Sequence, residues 1–274
     1  MHRRYGLLLS AAVLLLAAQA HALTLANIVD LRLAGSSGTV NDALFSQIVS
    51  PPTGTGYIDP FLRLQNSPVE EAFNTDYRSG GQAPLDAKSD PNFTHSLQLG
   101  ELATINVGGI DYYQFTLDID EPNNGPKRYI SLDMMDLYVA GRGDIESYAA
   151  LTGEGALRWS LDGAGDATVY LDGGNLSSGN GGDDMQALIP KSAFAGVSGS
   201  QYLYLYSKFG ATTGMRADTR ISSTDPNFDS DASFEEWRAL RGSTPQVAEP
   251  GTVTLLGIGL LGLVASRSRA KRIR

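Results

Sequence analysis

The sequence predicts an all-β fold, an antiparallel β-sandwich of jelly-roll type with one or two short helices. Three observations carry this expectation. From Thr94 onward, short stretches rich in Val, Ile, Leu, Tyr and Phe recur between clusters of Gly, Asn and Asp. Within one of them, Tyr113, Phe115, Leu117 and Ile119 alternate with Gln114, Thr116 and Asp118, a period of two that sets an apolar face against a polar one. No helical periodicity longer than about three turns stands out, which argues against an α/β enzyme.

Taken in order, Met1–Ala22 reads as a secretory signal peptide. Arg3 and Arg4 form its basic region, Leu7–Ala18 an apolar helix, and Ala20-His21-Ala22 a small-x-small cleavage site. Residues 23–242 form the β domain. Leu23–Leu33 is expected as a first strand and Asn41–Val49 as a short helix capped by Asn41 or Asp42. Tyr57–Gln65 is expected as a strand that Pro60 places near an edge, and Asn66–Asn92 as a long irregular excursion. Strands follow at Thr94–Val107, Asp111–Ile119, Tyr129–Ala140, Ala156–Leu161, Thr168–Leu171, Met185–Ile189 and Tyr202–Phe209, then a short helix at Phe234–Leu240. Residues 243–274 are a linker and a tail. In the tail Thr252–Ala265 is an apolar stretch and residues 266–274 are basic. As a helix, the apolar stretch spans roughly 21 Å, short of a ~30 Å hydrocarbon core, and so forms a marginal transmembrane anchor. The basic end would stay on the cytoplasmic side.

Composition narrows the function. Cys is absent, so there are no disulfides and no thiolate chemistry. His2 and His21 fall in the leader, which leaves His95 as the single histidine of the domain and excludes a multi-histidine zinc site there. Seven of the 21 basic residues and one of the 30 acidic ones lie in the two ends, so the middle keeps 14 bases against 29 acids, a charge of −15. Such a domain repels nucleic acid. Gly257-Ile258-Gly259-Leu260-Leu261-Gly262 spells G-x-G-x-x-G, but it lies in the apolar tail with no following acid, so a dinucleotide site is rejected.

The tail carries a resemblance. Val247-Ala248-Glu249-Pro250, the Gly/Leu-rich apolar stretch and the Arg-rich end together resemble the PEP-CTERM sorting signal of Gram-negative bacteria, with Ala248 in place of its first proline. The resemblance implies signal peptidase and an exosortase-type enzyme as partners. It implies transient inner-membrane anchoring, removal of the tail, and delivery to the cell surface or extracellular matrix, in the company of exopolysaccharide. Strings such as Ile58-Asp59-Pro60-Phe61, Ala187-Leu188-Ile189-Pro190 and Phe234-Glu235-Glu236-Trp237 resemble a domain found in other proteins with this tail, a family that brings no activity with it.

Several constellations are candidates for chemistry. Asp225–Glu236 fits a twelve-residue calcium loop, with Asp225, Asn227, Asp229, Ser233 and Glu236 as oxygen ligands and Asp231 contributing its carbonyl. Position 6 is Ser230 where glycine is wanted, and the bland reading is a solvated acidic loop. Asp162, Asp166, Asp172, Asp183 and Asp184 form a second acidic set, which Asp-Gly turns largely explain. Tyr202, Tyr204 and Tyr206 share one face of a strand. Exposed, they would stack on sugar rings; the alternative is ordinary sheet packing. Trp159 and Trp237 read as core or cover residues rather than binding platforms. The carboxylate neighbours Glu70/Glu71, Asp118/Asp120 and Glu235/Glu236 show no separation across a cleft of the kind a glycosidase needs. His95 has no nucleophile-elbow sequence to serve, and Arg142-Gly143-Asp144 reads as a turn. No catalytic residue is assigned. The expected function is that of an exported, non-catalytic surface or matrix protein associated with exopolysaccharide. The alternatives are a calcium-dependent carbohydrate-binding module and, last, a glycan hydrolase.

Overall fold

The computed structural model describes residues 28–48, 56–122, 125–173, 183–210, 228–231 and 233–242. The signal segment, the Val247–Pro250 motif, the apolar stretch and the basic tail lie outside them. Among the described residues no helix is long and apolar enough to cross a membrane.

The described chain is all-β. Its elements are β1 (Ile28–Asp30), β2 (Ser37–Val40), β3 (Ala43–Gln47), β4 (Gly56–Leu64), β5 (Glu70–Phe73), β6 (Leu97–Gln98), β7 (Thr104–Val107), β8 (Ile110–Ile119), β9 (Tyr129–Ala140), α1 (Tyr148–Glu154), β10 (Ala156–Ser160), β11 (Thr168–Asp172), β12 (Met185–Pro190), β13 (Tyr202–Phe209) and β14 (Glu235–Gly242). They build two seven-stranded sheets. The first runs β1-β11-β9-β13-β5, with β10 also on β9 and β6 also on β13. The second runs β2-β3-β12-β8-β14-β4, with β7 also on β8. All pairings are antiparallel except β1 on β11, which departs from the purely antiparallel expectation.

One apolar core joins the sheets. Phe45, Phe61, Phe115 and Trp237 of the second sheet pack with Leu132, Leu137, Leu205 and Phe209 of the first. Phe209 and Trp237 meet at 6.4 Å between ring centroids, and Trp237 Nε1 donates to Ser207 Oγ at 3.0 Å, so this indole is tied to the opposite layer. Trp159 is also buried, its Nε1 donating to the Asn41 carbonyl at 3.0 Å. Both tryptophans are core residues, as expected.

Two expected helices are strands. Asn41–Val49 was expected to open a helix, but Asn41 and Asp42 adopt φ of 48° and 64° and make the two-residue turn of the β2–β3 hairpin. Residues that cap helices also tolerate the left-handed region, and here the hairpin wins because Ala43, Phe45 and Gln47 then alternate into the interior. Phe234–Leu240 was the second expected helix. Its Glu, Ala and Leu content favours a helix locally, but the segment inserts between β8 and β4 as β14 and exchanges ladder hydrogen bonds with both. Thr94–Val107 is not one strand. It divides into β6, a 3-10 turn at Leu99–Glu101, and β7, because the chain passes from the first sheet to the second there. Pro60 lies on β4, the edge of the second sheet, at a register irregularity opposite Arg238, where its missing N–H is tolerated. The helix α1 had no sequence signal beyond Ser147, whose side chain accepts from Ala150 N at 3.1 Å.

Candidate functional site

The tyrosine row is not an open platform. Tyr204 and Tyr206 are buried and Tyr202 is half-buried, because the loop after β9 and the helix α1 lie across this face of the first sheet. Tyr204 Oη donates to the Arg142 carbonyl at 2.7 Å and accepts from Ile145 N at 3.3 Å. Tyr206 stacks on Tyr148 of α1 at 4.2 Å and donates to Glu71. Sugar stacking on this row is therefore corrected to internal packing. Burial pushes both phenols well above their ordinary pKa, as fits neutral hydroxyls used for structure. Arg142-Gly143-Asp144 is the turn after β9, and Arg142 there ties Asp144, Glu146 and Glu154 on the surface.

The six residues of the expected calcium loop do not come together as one described group. Asp225 and Asn227 lie outside the described residues. Asp231 accepts from Lys127 Nζ at 2.9 Å. Glu236 sits on β14, where Arg63 Nε donates to Oε2 at 2.7 Å and Arg238 Nε to Oε1 at 2.8 Å. Asp229 and Ser233 precede that strand, outside any helix or strand. Arg238 also holds Asp118 at 2.8 Å and Asp183 at 3.0 Å, which makes it the hub of an acidic patch on the outer face of the second sheet. Burial pushes the Asp118 carboxyl up to about 6 against the opposing pull of Arg238. Among the described residues, no three His, Asp or Glu side chains are grouped to hold a metal ion.

The second acidic set is dispersed over separate tasks. Asp162 accepts from Ala167 N at 2.9 Å and shapes a turn, while Asp166 is exposed. Asp172 pairs with Arg128 through two bonds of 2.6 and 2.5 Å. Asp183 joins Arg238, and Asp184 accepts from Ile119 N at 2.8 Å. His95 stands just before β6 between the Pro91 carbonyl, 3.0 Å from Nδ1, and Arg241 Nη2, 2.7 Å from Nε2. A guanidinium only donates, so Nε2 accepts and Nδ1 donates. Both ring nitrogens are thus in structural use.

Two features had no place in the sequence reading. One is a shallow groove of about 500 Å³ bordered by Ile110, Asp111, Tyr113, Lys191 and Phe194. Exposed Ile110 and the Gly108-Gly109 hairpin turn, with φ of 60° and 89°, bring the tip of β7–β8 to its rim. The other is a set of buried acids. Glu70, Glu121 and Glu235 lie together at one end of the layered core, each 5 % exposed or less. Burial raises the Glu70 carboxyl to about 7 and that of Glu121 to about 8, and moves Glu235 upward too. The sequence did hold a signal for two of them. In the strand pairs Glu70-Glu71 and Glu235-Glu236, alternation must turn one member of each inward.

No family model matches the chain, and comparison with curated proteins and with solved structures gives no match.

Proposed function

We propose that this chain is an exported surface or matrix protein. Its β domain is a sandwich of jelly-roll type, displayed outside the cell in exopolysaccharide without catalysing a reaction. The observation that carries the reading is the order of the tail: Glu249-Pro250, an apolar stretch too short to be a firm anchor, then Arg267, Arg269, Lys271, Arg272 and Arg274. An exosortase-type enzyme would act at this motif after signal peptidase has acted near Ala22. The charge of the middle segment, with 29 acids to 14 bases, favours solubility in a hydrated matrix over association with polyanions. The buried and half-buried carboxylates on Arg63, Arg128 and Arg238 support a structural use of its acids.

The test is to produce the full chain in a bacterium with and without an exosortase, beside a Glu249→Ala, Pro250→Ala double variant. The expected outcome is loss of the tail and release to the outer surface or medium only when enzyme and motif are both intact. Equal processing of the double variant would reject the reading.

A further inference from the structure

Glu70 and Glu235 project inward from facing sheets. Glu235 opens β14, opposite Leu64 on one side and Ile119 on the other, on the same face of the strand as Trp237. Glu70 opens β5, opposite Phe209. Leu64, Ile119, Phe209 and Trp237 all belong to the core between the layers. Both glutamates are wholly buried, and their carboxyls are neighbours in that interior. Glu70 Oε2 accepts from Asn66 N at 3.0 Å. Glu70 Oε1 and both oxygens of Glu235 receive no N–H or hydroxyl donor. Ionised carboxylates are acceptors only, so two of them can bond to each other only if one carries a proton.

The surroundings bear on the same point. Glu235 faces Glu70, Glu121 and Asp120, all of one sign. Glu70 also faces Asp86 and, more weakly, Lys88. Glu121 faces Asp231, Glu70 and Lys127, and Lys127 is already engaged by Asp231. An unpaired carboxylate in such a place gives up its charge.

We propose that Glu70 and Glu235 share a proton and thereby lock β5 of the first sheet to β14 of the second, a lock that opens when the proton is lost. A short strap is tied to the same point. Ser230 N donates to the Pro68 carbonyl at 2.9 Å, Ser230 Oγ to the Asn66 carbonyl at 2.8 Å, and Asp231 N to Glu121 at 3.1 Å. Asn66 thus binds Glu70 through its N–H and the strap through its carbonyl. Two like charges formed between the layers would push β5 from β14 and loosen the strap with them. This inference does not depend on the export reading.

The sign follows from the raised values of Glu70, about 7, and Glu121, about 8, against an ordinary 4.5. Above that ordinary value the unfolded chain releases these protons while the folded chain keeps them. The stabilisation is therefore complete in acid and is lost as pH rises toward 7 to 8.

The experiment is urea unfolding of the full chain from about pH 5 to about pH 9, for the wild type, Glu235→Gln and Glu70→Gln, with infrared detection of a protonated carboxyl. Each proton held in the fold lowers the folding constant about tenfold per pH unit. A glutamine amide donates to the remaining carboxylate without needing that proton, so either variant should lose about one proton from this slope. Each should also lose the Glu70–Glu235 part of the protonated-carboxyl infrared absorption near neutral pH and keep the part that belongs to Glu121. Equal slopes in all three proteins, or a wild type without the Glu70–Glu235 part, would overturn the proposal.

Discussion

Glu236 illustrates how much one side chain's partners decide. By spacing it is the twelfth position of a calcium loop; in the fold it is 5 % exposed and held by Arg63 and Arg238. Truncating it leaves Arg238 beside Asp118 and Asp183 and strands Arg63, which is otherwise packed on the Phe93 ring. We expect Glu236→Ala to cost about 1–3 kcal/mol, the range for loss of a charged hydrogen-bonded partner in a partly buried place. The cost should be the same in calcium and in chelator. Thermal denaturation in both conditions checks this; a cost that appears only in calcium would return Glu236 to the metal reading. Its neighbour Glu235 has the opposite environment, buried beside Glu70, Glu121 and Asp120, although the two residues are chemically identical.

At the scale of elements, α1 depends on its contacts. Seven residues are too few for a helix to persist alone in water. It is held by buried Leu151, by Tyr148 stacked on Tyr206, and by the Ser147 cap. Replacing Ser147 with Ala should cost about 1 kcal/mol, typical of a lost N-cap. The loss should be local, with hydrogen exchange rising in α1 while β13 stays protected between β9, β5 and β6. Faster exchange along β13 would mean that this cover contributes to the sheet itself. The long strands also explain the topology. Both β9 and β13 present one edge to two short strands lying end to end, β10 with β11 and β5 with β6. Period-two patterning made the long strands legible, and β10 and β11 were read beside them, whereas the four residues of β5, inside the expected irregular excursion, and the two of β6 carry too little pattern to read.

At the scale of the whole molecule, closure is by distant pairing. β4 pairs with β14, so residues near 60 join residues near 238, and β14 in turn joins β8. Contacts this far apart form late and slowly, because loop-closure entropy opposes them. Deleting Glu235–Gly242 should therefore abolish cooperative unfolding altogether. It removes fully buried Trp237, detaches β4 and opens the acid-bearing end. A urea transition retaining wild-type steepness would show that the remaining strands close without it.

The sequence by itself determined the β class, the long strands β8, β9 and β13, the edge position of Pro60 and the core placement of both tryptophans. Those features follow from local alternation, from the missing N–H of proline and from the size of indole. The proposed export and sorting rest on sequence alone, since their motifs are matters of linear order. Tertiary structure decided what each polar residue is for. It made Asn41-Asp42 a hairpin turn and Phe234–Leu240 a strand, because core-facing alternation and ladder bonds outweigh local helix preference. It covered the tyrosine row with a helix that the pattern of the row did not announce. It brought Glu70 and Glu235 together from opposite ends of the domain. Burial and neighbouring charge set the state of a carboxyl, and both depend on residues far away in sequence.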